Sequence, residues 1–127
     1  SWSSHHSDET RHARIAAAAP SGGQHFPPPD ASVFGLSGAD RDWVNRRQTP
    51  QPLALYHQPL HFDAARVARL PRAFIDCTAP ALPTIAPARL KVRQEPGWQV
   101  LEMTTGHDPM VSAPQELVRL LLQIATS

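Results

Sequence analysis

Trp98-Gln99-Val100-Leu101-Glu102-Met103-Thr104-Thr105-Gly106-His107-Asp108-Pro109-Met110 is the stretch on which the fold turns. Its first six residues alternate as a strand does, and the seven that follow form a glycine-containing loop that carries a histidine. Downstream, Ser112-Ala113-Pro114-Gln115 has the S-x-x-Q form of a helix-capping box with proline in the first turn. Leu117, Leu120, Leu121 and Ile124 then recur at i, i+3, i+4 and i+7, a face suited to packing on a sheet. Upstream, Arg72-Ala73-Phe74-Ile75-Asp76-Cys77 is of strand length, started by Pro71 and ended by Thr78-Ala79-Pro80. Thr84 to Glu95 reads as a helix that tolerates Pro87 near its start and ends at Pro96-Gly97, with Ile85, Leu90 and Val92 as its larger apolar side chains. About 20 residues separate the strands, enough for a parallel crossover and too many for a tight hairpin.

Residues 71-127 therefore predict an α/β arrangement of strand, helix, strand and helix. Residues 1-70 read differently, as a helical layer with proline-rich loops. Asp8 to Ala19 is helix-compatible and is ended by Pro20-Ser21-Gly22-Gly23, before Pro27-Pro28-Pro29. Ser37 precedes Gly38-Ala39-Asp40 and Arg41-Asp42-Trp43-Val44-Asn45-Arg46-Arg47, an order of cap, early acid and late arginines that suits the helix dipole. Thr49-Pro50-Gln51-Pro52 stops that helix, and another short one is expected from Asp63 to Leu70. Two parallel strands are fewer than such sheets normally hold. The sheet is expected to be incomplete, with an unpaired apolar edge on its first strand.

The 127 residues include 14 prolines, about twice the usual ~5% share, which rules out a long coiled coil or an all-helical bundle. With 41% hydrophobic and 18% charged residues and a formal net charge of +1, the chain is neither a charged disordered tail nor a basic nucleic-acid binder. The single cysteine, Cys77, excludes an internal disulfide framework and a multi-cysteine zinc site, and makes a reducing, cytoplasmic setting the expectation. No stretch approaches the ~20 apolar residues that span a bilayer, and Ser1-Trp2-Ser3-Ser4-His5-His6 lacks the pattern of a signal peptide. No membrane or nucleic-acid partner is expected. Because the first residue is serine, the chain is expected to be processed or to lack its beginning.

His107 is the leading chemical candidate. Loops at the carboxyl ends of strands form the functional crevice of open α/β sheets, and an imidazole, with a reference pKa of ~6.5, moves protons both ways near neutral pH. The alternative is a loop histidine bonded to a backbone carbonyl. His5-His6 with His12, and His57 with His61, have spacings a metal could use, but Pro59 interrupts the second pair and solvated histidines explain both, so no metal is expected. Cys77 reads as a small core residue. Pro27-Pro28-Pro29 reads as a loop spacer or a ligand for a proline-binding domain. Trp43, Tyr56 and Phe62 read as pocket lining or ordinary packing.

The series Phe34-Gly35-Leu36, Asp40-Arg41-Asp42-Trp43-Val44, Arg47-Gln48-Thr49-Pro50-Gln51-Pro52, Phe74-Ile75-Asp76-Cys77-Thr78 and Gly106-His107-Asp108-Pro109-Met110-Val111, with the final helix, resembles the C-terminal half of α/β-hydrolases. The nearest branch is that of the methylesterases and hydroxynitrile lyases with their bacterial esterase relatives, and the likeness runs from about residue 30 to 127. It implies that residues 1-70 form a helical cap over a substrate pocket and that His107 is the catalytic base. The implied function is serine-hydrolase-like hydrolysis of a small-molecule carboxylic ester, without cofactor or metal. A hydroxynitrile lyase acting on a cyanohydrin and a non-catalytic proline-rich interaction protein are the alternatives.

The family's nucleophilic serine sits in a G-x-S-x-G turn, and Gly35-Leu36-Ser37-Gly38 lacks that spacing. The elbow and oxyanion loop are expected upstream of Ser1, so that this chain alone is inactive and needs an N-terminal half or self-association. In plant members the triad aspartate falls three residues after the equivalent of Cys77, which here is Pro80. Asp76, within the strand, is the possible acid in this chain. Asp108 is poorly placed beside His107, and an acid upstream of the chain is the third option.

Overall fold

The computed structural model describes residues 8–126; of the expected histidine cluster, His5 and His6 lie outside the described residues. The chain divides into two compact units. One comprises residues 8–29 with Arg47–Val67, and the other Asp30–Arg46 with residues 68–126. The division does not fall at residues 70 and 71, because Asp30–Arg46 groups with the strands rather than with the remainder of residues 1-70.

In the first unit, α1 (Asp8–Ala18) begins with Asp8 and Glu9, acids that complement the positive end of a helix dipole. A 3-10 turn at Ala19–Ser21 follows and closes on Gly22, whose φ of 67° is in the left-handed region that glycine enters without a Cβ penalty. β1 (His25–Phe26) and β2 (Gln51–Pro52) pair antiparallel, a two-residue ladder not anticipated from the sequence. α3 (Ala54–His57) and α4 (Ala64–Ala68) complete the unit. Asp63 starts α4, its Oδ1 accepting from the amides of Ala65 and Arg66 at 3.0 and 3.1 Å. Ala18, Phe26 and Leu53 form a small core with Tyr56, whose ring meets Phe26 edge-on at 4.7 Å.

In the second unit, a 3-10 turn at Ala31–Phe34 leads into α2 (Gly38–Asn45). Ser37 occupies the cap position of α2 with extended backbone, but its hydroxyl makes no cap bond. β3 (Arg72–Cys77) and β4 (Trp98–Met103) have the expected bounds and pair in parallel, Arg72 opposite Trp98 through Cys77 opposite Met103. The crossover contains a 3-10 turn at Pro83–Ile85 and α5 (Ala86–Gln94), of whose apolar side chains Val92 is buried and Leu90 exposed. α6 (Pro109–Ser112) and α7 (Pro114–Ala125) end the unit.

Because side chains alternate across a strand, the two faces of the β3–β4 pair have different partners. Ile75, Cys77, Leu101 and Met103 pack with Leu117 and Leu120 of α7. Asp76 and Glu102, opposite each other in register, meet the arginines of α5. The expected capping box is corrected: Ser112 is the last residue of α6, Ala113 caps α7 without a side-chain bond, and the Ser112 hydroxyl turns to Thr105 and Asp108. Leu121, expected on the packed face, is half exposed while Leu120 is buried.

Candidate functional site

The carboxyl ends of both strands of the parallel pair continue side by side. The Thr78 amide donates to the Met103 carbonyl and the Ala79 amide to the Thr105 carbonyl, each at 3.0 Å. The loop Thr104 to Asp108 is thereby held along the segment that leaves β3. On its inner side Thr105 is buried, its hydroxyl 2.6 Å from that of Ser112. The Asp108 carbonyl accepts from the amides of Val111 and Ser112, so the loop passes directly into α6.

His107 is half-buried at this carboxyl edge. Its backbone amide donates to the carbonyl of Phe34 at 2.8 Å, and the two rings lie 6.1 Å apart, tilted by 35°. Among the described residues, no side chain hydrogen-bonds the imidazole. The contact to a backbone carbonyl considered for this histidine is thus made by its main chain rather than by its ring. Two glycines permit the approach. A Cβ on Gly106 would lie 2.3 Å from the Phe34 carbonyl oxygen and 3.0 Å from the Gly35 Cα. A Cβ on Gly35, whose φ is 85°, would lie 2.7 Å from Cδ of Pro80.

Asp76 is not brought to His107. Its side chain is 3% exposed, with Arg89 Nε 2.5 Å from Oδ1 and Arg93 Nη2 2.7 Å from Oδ2. Arg89 also donates to the Cys77 carbonyl at 2.8 Å, and Arg93 to Glu102 at 2.8 Å. Burial pushes the Asp76 carboxyl up, but the hydrogen bonds and charges of Arg93 and Arg89 outweigh it and hold the group below its ordinary value. Both carboxylate oxygens are committed to α5. At the other position considered for the acid, Pro80 offers no carboxylate and packs on Gly35. Asp108 is raised from its ordinary value by burial, with the nearby His107 opposing, and it makes no side-chain bond to the imidazole.

Beyond this loop, a groove of about 400 Å³ in the same unit is lined by Ala39, Asp40, Trp43, Arg46, Met110 and Val111. Trp43 thus lines a surface concavity next to the helix that follows His107. Tyr56 is instead packed on Phe26, with its hydroxyl donating to Gln51 at 2.7 Å, and Phe62 is exposed. Cys77 is buried, and burial followed by the charge of Asp76 pushes its thiol up, the setting of an inert core residue. Among the described residues no group of three or more histidine, cysteine or acidic side chains could hold a metal, and no helix is long and apolar enough to cross a membrane.

Three participants were not singled out from the sequence: the Phe34 carbonyl, the Arg89–Arg93 clamp and the Thr105–Ser112 hydroxyl pair. Gly35 and Gly106 were the available signal for the first, since a glycine beside a chemically active loop marks close backbone approach.

The likeness found among known proteins is to an ester hydrolase. The relative is the carbendazim hydrolyzing esterase of Nocardioides sp. (strain SG-4G), 41% identical over 99 residues that cover 74% of this chain and 39% of the relative. The chain thus spans well under half the length of the curated relative it matches. No protein-family model and no solved structure matches the chain.

Proposed function

We propose that this chain is the base-bearing part of a carboxylic ester hydrolase of α/β-hydrolase type, with residues 1-70 contributing to a cap and residues 71-127 to the end of the core. The observation that carries the reading is the place of His107: a loop at the carboxyl end of a parallel strand, anchored by its backbone, with an imidazole that no described side chain hydrogen-bonds. The esterase relationship supports it.

In this reading a serine from outside these 127 residues attacks the ester carbonyl while His107 takes its proton. The protonated imidazole then gives that proton to the departing alcohol, leaving an acyl-enzyme. His107 next removes a proton from water, which attacks the acyl carbon; the proton returns to serine and the carboxylic acid leaves. The acid that orients His107 is a carboxylate other than Asp76, whose oxygens belong to Arg89 and Arg93. The substrate is a small-molecule ester, and carbendazim, named for the relative, is the first specific compound to try.

The test is turnover of p-nitrophenyl acetate and carbendazim by the protein expressed from its complete reading frame. His107→Ala should lower kcat by on the order of 10³-fold or more, and the 127-residue chain by itself should not exceed the buffer rate. Full turnover by His107→Ala, or cyanide release from a cyanohydrin in place of ester cleavage, would overturn the reading.

A further inference from the structure

The turn that receives the His107 amide is unusually well braced. Asp30 caps it, with Oδ1 accepting from the Ser32 amide at 2.9 Å. Arg41 of α2 grips the same carboxylate through Nε and Nη2, both at 2.8 Å, and Asn45 Nδ2 donates to Oδ2 at 2.9 Å. Asn45 Oδ1 in turn accepts from the Ala31 amide at 2.8 Å. A forked arginine–carboxylate contact fixes direction as well as distance, so Ala31–Phe34 is tied to α2 at both its cap residue and its first amide. At the far end of the turn, the Phe34 carbonyl and ring meet His107. Gly35 and Gly106 are in contact so close that a side chain at either would separate the two segments.

We infer that Phe34 is the seat of the base: its carbonyl fixes the height of the His107 backbone and its ring limits the swing of the imidazole, making it a positioning residue for ester hydrolysis. The role follows from geometry. An imidazole that serves first a serine and then a water must keep one orientation through four proton transfers, and a displacement of about 1 Å can cost ~10²-fold in rate. The loop bearing His107 has its own strand bonds on one side only, and the turn supplies the other side. The brace through Asp30, Arg41 and Asn45 makes that support a rigid one. The inference rests on His107 acting as the base; the seat itself is a contact that can be measured without any catalysis.

Two measurements keep these apart. Amide hydrogen exchange on the 127-residue chain reads the seat: the His107 amide should be protected, and Gly106→Ala should reduce its protection at least tenfold while the amides of β3 and β4 keep theirs. Steady-state kinetics on the complete protein, with p-nitrophenyl acetate, read its purpose: Phe34→Ala should lower kcat at least tenfold with KM within about twofold, and Phe34→Tyr should restore most of the loss. Phe34→Ala keeps the question open to refutation if Gly106→Ala fails to fold. An unprotected His107 amide in the parent chain, or a folded Phe34→Ala whose kcat is unchanged or whose KM alone rises, would overturn the inference. Unchanged turnover in His107→Ala would remove the hydrolase reading and this role with it, while the exchange result would still report the contact.

Discussion

The Asp76 carboxylate sits in β3 at a depth where an unpaired charge would cost several kcal/mol, and α5 meets that demand with two arginines on one face. Removing one partner of such a cluster strands the others, so Asp76→Asn should cost about 3 kcal/mol, the low end of the usual range because Arg93 is 37% exposed and can turn to water. The loss should appear in urea melts. Its pH dependence has a definite sign. The folded carboxyl titrates below its unfolded value, so its contribution is complete above the unfolded pKa of ~3.9 and is lost as pH falls through the lower folded value. The stability gap between parent and Asp76→Asn should be constant above about pH 5 and narrow below about pH 4. A triad acid would behave otherwise, with kcat collapsing at unchanged stability, and that outcome would refute the structural role.

Among the elements, α7 divides its residues unequally between core and surface. Leu120 is 5% exposed among Cys77 and Met103, whereas Leu122, two positions on, is 62% exposed. Leu120→Ala should therefore destabilise by about 2–5 kcal/mol and Leu122→Ala by less than about 0.5 kcal/mol, as thermal and chemical melts would show; equal costs would mean that the face is packed differently. This element also shows what sequence can and cannot convey. The two parallel strands are legible because each is six apolar-biased residues bounded by proline or glycine, and the crossover length leaves their parallel pairing as the natural solution. The start of α7 is not, because the capping-box pattern competes with other bonds: the Ser112 hydroxyl goes to Thr105 and to the Asp108 carbonyl rather than to the first turn of α7. β1 and β2, two residues each with a proline in one, carry no periodicity to read. At the site, His107 follows from its place after a strand, and Gly35 and Gly106 mark a close backbone approach without naming Phe34 as the partner, while the arginines 13 and 17 residues beyond Asp76 leave no local trace. Local pattern registers pairing along the chain; it does not register which distant backbone carbonyl or guanidinium closes a contact.

For the whole molecule, the consequential feature is the number of strands. Among the described residues β3 and β4 pair only with each other, so both outer edges present backbone donors and acceptors without a ladder partner. Val118, Leu121 and Leu122 add exposed apolar surface on α7. Natural sheets blunt such edges with charge, bulges or cover, and β3 offers Phe74 and Ile75 half-buried at its centre instead. The 127-residue chain is thus expected to self-associate in solution through its strand edges, and sedimentation velocity should show a mean mass that rises with concentration. The edge and the helix face can be separated as drivers. Leu122→Lys introduces charge on α7 without touching the ladder and should leave association in place. If that substitution abolishes it, the helix face is responsible; if the parent chain stays monomeric at every concentration and melts cooperatively, the open edges are not adhesive and the expectation fails.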